Sequence, residues 1–313
     1  MYKIGIDIGG TTIKAGVFDE ENNLIQSTFA PTNAGRPVGE MVSDICDLAK
    51  SAVTLSGLDM SECVGAGVCS PGICNSDTGR VYNANNVGFD DVPLADLISK
   101  KLGLPVTLLN DADAAAYGEV VSGSAKGKKS VLYIGIGTGI GAGLIIDGKI
   151  YAGCGYGGIE AGHMMLSLDG EKCTCGKKGC FEAYASATAL IRQAEKAAKE
   201  NTESLLNKEK ITGKSVFDAA KTGDETAKSV VEKYTYYLSE GIVSLINIFD
   251  PEAVIIGGGI SKAGEMLVSP VREFVKENIF GAPDRTPPEI LTGALYDMAG
   301  LYGAAAAFRE FPA

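Results

Sequence analysis

Residues 2–18 read YKIGIDIGGTTIKAGVF, and this stretch decides the fold. Apolar residues alternate through residues 2–8 and again through residues 13–18, a period of two that is typical of β-strands. The sequence Gly9-Gly10-Thr11-Thr12 separates the two runs as a short turn. The stretch therefore predicts a β-hairpin at the start of the chain.

A second stretch repeats this pattern further along the chain. Residues 131–136 and 140–146 predict two strands that are joined by Gly137-Thr138-Gly139. The heptapeptides GTTIKAG (10–16) and GTGIGAG (137–143) agree at five of seven positions. This agreement suggests an internal duplication.

Strands and helices alternate in the rest of the sequence. Helical periodicity runs through residues 41–55, 94–102, most of 185–249 and 300–308, and buried strands are predicted at 105–109 and 253–256. Such alternation predicts an α/β protein whose sheets are covered by helices.

Composition narrows the class of protein. The 313 residues, 45% hydrophobic and 21% charged, suit a soluble chain of two domains or one large two-lobed domain. A net charge of −11 argues against a nucleic-acid partner, which requires clustered Lys and Arg. No apolar run approaches ~18 residues, so we expect no membrane span.

The cysteines point to a metal site. The segment reads His163-x9-Cys173-x-Cys175-x4-Cys180, and His163 is the only histidine in the chain. Four N and S ligands at this spacing predict a closed, structural zinc site, rather than a core histidine beside ordinary buried thiols. The chain has five further cysteines, an odd number, and no recognisable signal peptide. We therefore expect the protein to lie in the reducing cytoplasm.

Three glycine-rich turns follow predicted strands, at residues 9–12, 137–139 and 257–259. Glycine lets backbone N–H groups approach phosphate oxygens closely, although each turn alone is better explained as a tight hairpin without a ligand. No P-loop motif is present, and a strand follows Gly137 where a dinucleotide-binding fold needs a helix. Together the turns predict a nucleotide site.

These motifs together resemble one known family. Asp7-x-Gly9-Gly10-Thr11-Thr12, Asn110-Asp111, Glu160-x2-His163 and the cysteine segment are similar to the ROK family (repressors, open reading frames, kinases). That family belongs to the actin-like superfamily of ATP-dependent sugar kinases, and within it the chain most resembles bacterial glucokinases. The resemblance covers essentially the whole chain, in the family's order.

The resemblance implies a two-lobed actin-like ATPase (ribonuclease H-like) fold, with a nucleotide and sugar cleft between the lobes and a zinc knuckle. We expect a smaller N-terminal lobe of residues 1–111 plus 299–313 and a larger C-terminal lobe of residues 112–298. The resemblance also implies a homodimer.

The resemblance assigns roles to individual residues. Asp111 is the expected general base on a sugar 6-hydroxyl, although an acidic residue before a helix can instead be its N-cap. Asp7 would hold Mg²⁺. The expected sugar contacts are Gly72, Asn86, Asn110, Asp111, Glu160, His163 and Glu182. The expected ATP contacts are Asp7, Gly9, Gly10, Thr11, Thr12, Lys14, Gly137, Thr138, Gly139, Gly257 and Gly258. The expected zinc ligands are His163, Cys173, Cys175 and Cys180.

The implied activity is ATP-dependent phosphorylation of glucose at the 6-hydroxyl. Kinases of N-acetylmannosamine, N-acetylglucosamine or fructose stay open, as does polyphosphate as the donor. The family commonly has Trp soon after an Asn-Leu pair, whereas this chain has Asn86-Val87-Gly88-Phe89 and no Trp. A sugar-sensing or repressor protein is the alternative from a different class.

Overall fold

The computed structural model describes residues 1–308, so residues 309–313 of the expected N-terminal lobe lie outside the described residues. The strands are β1 (Tyr2–Ile8), β2 (Thr12–Phe18), β3 (Leu24–Pro31), β4 (Cys63–Ser70), β5 (Ile73–Asn75), β6 (Arg80–Ala84), β7 (Phe89–Val92), β8 (Val106–Asn110), β9 (Val131–Ile136), β10 (Ile140–Ile146), β11 (Lys149–Ile150), β12 (Ala253–Gly257) and β13 (Glu289–Thr292). The α-helices are α1 (Val38–Leu55), α2 (Leu94–Leu102), α3 (Asp111–Ser122), α4 (Glu182–Ala185), α5 (Ala187–Glu200), α6 (Gly213–Lys221), α7 (Glu225–Phe249), α8 (Glu265–Asn278) and α9 (Ala299–Ala307).

The chain divides into two compact units. Unit 1 comprises residues 1–129, 143–159 and the chain from Asp297 onward, and unit 2 comprises residues 130–142 and 160–296. Helix α3 thus belongs to unit 1, although the expected boundary after Asp111 assigns it to the second lobe. The expected lobe boundary after Asp111 stays a prediction.

Unit 1 is built on a five-stranded sheet of order β3-β2-β1-β4-β8. Strands β1, β2 and β3 pair antiparallel, which confirms the predicted hairpin, and β1, β4 and β8 are parallel. Side chains alternate across β1, so Ile4, Ile6 and Ile8 enter the core that α1 also lines. The three parallel strands end at the same edge of the sheet.

Glycine lets helix α9 lie directly on the other face of this sheet. A Cβ at Gly5 would come within 2.6 Å of the Leu301 carbonyl, and a Cβ at Gly303 within 1.7 Å of the Ala114 carbonyl of α3. Larger side chains would therefore push α9 away from β1 and from α3. This packing brings α9 against α3, the helix that begins at Asp111.

The second five-stranded sheet has the order β11-β10-β9-β12-β13. Strands β9, β12 and β13 are parallel, and β10 and β11 are antiparallel to each other. If β9 is set against β1, the two sheets have the same order. This equivalence supports the duplication that the matching glycine turns suggest.

Helices α4 to α8 belong to unit 2. Helix α7 packs against α5, α6 and α8, and its residues Tyr234, Leu238 and Ile242 are fully buried. Across residues 1–308, no helix has both the length and the apolar character needed to span a bilayer.

Candidate functional site

The carboxyl ends of β1, β4 and β8 bring polar residues to one edge of the unit 1 sheet. Asp7 of β1 pairs in register with Cys69 of β4, and Ser70 pairs with Asn110 of β8. Asp111 follows immediately as the first residue of α3. In parallel α/β sheets this edge is where ligands bind.

Asp7 is largely buried and has two side-chain partners. Its Oδ2 lies 3.3 Å from the Lys14 ammonium, and its Oδ1 accepts a hydrogen bond from the Cys69 thiol at 3.5 Å. Lys14 also donates to the main-chain carbonyl of Asp297. The structure therefore places Lys14, an expected phosphate contact, on the carboxylate that is expected to hold Mg²⁺.

Cys69 is a neighbour of the site that the sequence did not reveal. Its complete burial raises the pKa of the thiol well above the ordinary value, and the negative charges of Asp7 and Asp111 raise it further. The thiol therefore stays protonated at neutral pH and can donate to Asp7. Cys69 lies on β4, between β1, which carries Asp7, and β8, which leads into Asp111.

Asn110 is the N-cap of α3. Its Oδ1 accepts hydrogen bonds from the N–H groups of Ala112 at 2.8 Å and Asp113 at 3.2 Å. Asp111, for which capping was the alternative interpretation, instead begins the helix and is exposed, with its Oδ1 2.9 Å from the Ala112 N–H. An ionised carboxylate is stabilised at this end of a helix.

Two further expected sugar contacts lie in the same unit. Asn110 Nδ2 donates to the Gly72 carbonyl at 3.0 Å, which joins β8 to the loop after β4. Gly72 has a φ of 89°, and a Cβ there would lie 1.9 Å from the Asn83 carbonyl, so only glycine fits. Asn86 lies beside Gly10. A Cβ added at Gly10 would lie 3.6 Å from the Cβ of Asn86.

The two similar glycine turns are closed in a similar way. In the first turn, Gly9–Thr12, the Gly9 N–H donates to the Thr12 carbonyl at 3.0 Å. In the second turn, Gly137–Gly139, the Gly137 N–H donates to the Gly139 carbonyl at 3.0 Å. Gly10, Thr11, Gly137 and Thr138 are all exposed, so both turns are open to a ligand.

The third turn follows β12 and also requires glycine. A Cβ at Gly257 would lie 2.2 Å from the Tyr133 hydroxyl, and one at Gly258, where φ is 79°, would lie 2.4 Å from the Ile136 carbonyl. The backbone of this turn thus rests directly on β9.

The four expected zinc ligands form one cluster in unit 2. One ligand atom from each of His163, Cys173, Cys175 and Cys180 lies within 4.8 Å of all the others. Cys175 and Cys180 Sγ are 3.7 Å apart, as are Cys173 Sγ and His163 Nδ1. A tetrahedral Zn²⁺ with Zn–S bonds of ~2.3 Å holds its sulfur atoms about 3.8 Å apart, so the geometry fits this ion.

Burial and local hydrogen bonds act on these thiols differently. Burial raises the pKa of Cys173 to about 12, whereas the Lys177 backbone N–H lowers the pKa of the exposed Cys175. Thiols ligate zinc as thiolates, so metal binding to this cluster would release protons.

Glu182 lies between this cluster and the second glycine turn. Its Oε1 accepts hydrogen bonds from Cys173 Sγ and Thr174 Oγ1, both at 3.0 Å. Its Oε2 is 3.4 Å from the Ile140 N–H, next to Gly139. Thr174 is another residue that the sequence did not single out.

Glu160, the other carboxylate among the expected sugar contacts of unit 2, is exposed. Its main-chain carbonyl accepts a hydrogen bond from the His163 N–H at 2.9 Å.

Comparison with known proteins identifies the family. The model of the ROK family matches residues 3–310. A glucokinase of Halalkalibacterium halodurans is 37% identical over 278 residues, which cover 87% of this chain and 84% of that protein. A xylose repressor of Bacillus subtilis is 32% identical over 281 residues, which cover 89% of this chain and 70% of the repressor.

A solved structure matches the whole fold. The crystal structure of a ROK family glucokinase from Streptomyces griseus, in complex with glucose and AMPPNP, superposes with a TM-score of 0.86 at 35% identity. The match covers 99% of this chain and 100% of that chain. The expected α/β fold of the ROK type is therefore confirmed.

Proposed function

This chain belongs to the ROK family, and on that premise we propose that it is a kinase that transfers the γ-phosphoryl group of ATP to the 6-hydroxyl of glucose. The observation that carries the proposal is that Asp7 and Asp111 lie at the carboxyl ends of β1 and β8, on either side of β4, at the edge of the sheet from which the first glycine turn also emerges. Phosphoryl transfer needs a metal-holding carboxylate, phosphate-binding amides and a base at one place.

In the proposed reaction Asp111 accepts the proton of the sugar 6-hydroxyl while that oxygen attacks the γ-phosphorus. The bond from the γ-phosphorus to the β,γ-bridging oxygen breaks, and ADP leaves. Mg²⁺, held through Asp7, would neutralise the charge of the phosphates. The two similar glycine turns would supply N–H donors to the phosphates, and the third turn, Gly257–Gly259, would receive the adenosine.

The sugar contacts that we propose are those the family resemblance implies: Gly72, Asn86, Asn110, Asp111, Glu160, His163 and Glu182. Zinc on His163, Cys173, Cys175 and Cys180 would be structural, because four protein ligands leave no position for substrate. A homodimer in the cytoplasm remains our expectation for the assembly and its location.

The test is ATP-dependent phosphorylation of glucose, mannose, fructose, allose, N-acetylglucosamine and N-acetylmannosamine. We expect the highest kcat/KM with glucose. Preference for an acetylated sugar would keep the mechanism and change the substrate. Saturable sugar binding without turnover of any sugar would contradict the kinase proposal and favour a sugar sensor, a reading that the similarity to xylose repressors also allows.

A further inference from the structure

The carbonyl groups of the first glycine turn are held by a residue outside it. Thr32, directly after β3, is fully buried. Its hydroxyl donates to the Gly9 carbonyl at 2.6 Å, and its N–H donates to the Thr11 carbonyl at 2.9 Å. One residue therefore fixes two of the peptide planes of this turn.

The second glycine turn is held by the same combination of groups. The Ala187 N–H, at the start of α5, donates to the Gly137 carbonyl at 2.9 Å. The hydroxyl of the next residue, Thr188, donates to the Thr138 carbonyl at 2.8 Å. In each turn a backbone N–H and a threonine hydroxyl thus engage two carbonyl oxygens.

The direction of these bonds determines the direction of the N–H groups. In a trans peptide the N–H points opposite to the carbonyl of the same plane. The Gly9 and Thr11 carbonyls point toward Thr32, so the N–H groups of Gly10 and Thr12 point away from it. By the same argument, the N–H groups of Thr138 and Gly139 point away from the start of α5.

This orientation suits an anion. Phosphate oxygens are attracted by N–H groups and repelled by carbonyl oxygens, and the glycines of a turn allow the adjoining peptide planes to rotate either way. We infer that Thr32 and Thr188 are positioning residues, which hold the carbonyls of the two glycine turns away from the phosphates of the donor nucleotide and aim their N–H groups at them.

The inference rests on the proposed use of ATP, and it is tested by nucleotide binding without turnover. The variants Thr32→Val and Thr188→Val keep the shape of the side chain and remove the hydroxyl. Thr32→Ser and Thr188→Ser keep the hydroxyl. Thr28→Val is the control, because Thr28 lies on β3, the strand that Thr32 follows, but is the register partner of Ala15 and not of the turn.

Calorimetry with MgADP and, separately, with glucose is the measurement, together with the melting temperature of each variant. We expect the Kd for MgADP to rise about tenfold in each valine variant, the effect of losing one well-oriented hydrogen bond. The serine variants should restore it to within about threefold, and the Kd for glucose should change less than about twofold in all of them.

A purely structural role predicts a different result. In that case the valine variants would melt at a lower temperature, while their Kd for MgADP would stay within about twofold of the wild type, and the inference would be wrong. If Thr32→Val does not fold, the comparison of Thr32→Ser with Thr32→Ala decides the matter in the same way. Equal MgADP affinity in that pair overturns the inference.

Failure of the proposed function has its own signature. Wild-type protein that binds MgADP but phosphorylates no sugar contradicts the kinase proposal, while the two threonines are still tested by their effect on binding. Wild-type protein that does not bind MgADP overturns both.

Discussion

Lys14 Nζ lies 3.3 Å from Asp7 Oδ2, and their side chains are only 19% and 16% exposed. The two residues are partners in register on β1 and β2, so the hairpin itself sets this ion pair. The carboxylate that we propose to hold Mg²⁺ thus has a cation beside it. A partly buried charge of this kind contributes more than a solvated one.

Replacing Lys14 by Met should therefore weaken the use of MgATP. Loss of one charge-assisted contact predicts a fall of about tenfold in kcat/KM for MgATP, with the KM for glucose little changed. Steady-state kinetics with each substrate varied in turn is the measurement. Lys149→Met, on the short strand β11, is the control. An unchanged kcat/KM for MgATP in Lys14→Met would show that Lys14 only neutralises the charge of Asp7 in the folded protein and does not contribute to the use of MgATP.

Asp111→Asn should lower kcat by about 10²–10⁴-fold, the range typical of removing a general base. Because Asn110 supplies the N-cap, α3 should stay folded, and glucose should still bind. Asp96→Asn is a matched control, since Asp96 is an exposed acidic residue in the first turn of α2. A fall of under about tenfold in kcat would remove Asp111 from the role of base.

The purified protein should contain about one zinc ion per chain. Cys175→Ser should lose that metal, because a hydroxyl replaces one of the four ligand atoms. Mass spectrometry of the metal content is the measurement, and Cys154→Ser, an exposed cysteine outside the cluster, is the control. Full zinc content in Cys175→Ser would contradict the four-ligand site.

Glu182→Ala should affect both substrates. Its Oε2 approaches the Ile140 N–H beside the second glycine turn, so the KM for MgATP should rise severalfold, and the KM for glucose should rise about tenfold or more. The zinc content should not change. Glu171→Ala, an exposed carboxylate of the same loop, is the control. If only the glucose KM rises, Glu182 does not hold the second turn.

The buried thiols should be unreactive in the folded protein. Burial raises the pKa of Cys46 to about 11 and also raises the pKa of Cys63, Cys69 and Cys74. Since the thiolate is the reactive form, a disulfide reagent at pH 8 should label the exposed Cys154 rapidly, and the four buried thiols only after denaturation. In zinc-loaded protein Cys154→Ser should remove the rapid phase, whereas in metal-free protein the exposed Cys175 should still react rapidly.

The same shifts set the sign of a pH effect on stability. The folded protein keeps these thiol protons to a higher pH than the unfolded chain does. The free energy of unfolding should therefore fall as the pH rises above about 9. Rapid labelling of Cys69 in the native state, or constant stability up to pH 11, would contradict the assigned burial.

Part of the fold was readable from local sequence. The period-two runs predicted β1, β2, β9 and β10, and the helical period predicted α2 at its observed bounds, Leu94–Leu102. Strands β3 and β5 to β7 were not predicted, because no residue of β3 is fully buried and β5 to β7 are too short to show a clear alternation. The spacing of His163 and the three cysteines was enough to predict the ligand cluster.

The sequence by itself thus determined the hairpins, the glycine turns, the ligand set and the resemblance to one family, because each depends on residues that are near in the chain or on a distinctive spacing. Only the tertiary structure decided which distant residues support them. Thr32 on the first turn, Cys69 on Asp7 and Asn110 on the Gly72 carbonyl depend on strand order and register. These contacts join residues up to 62 positions apart, and no local pattern encodes such a separation.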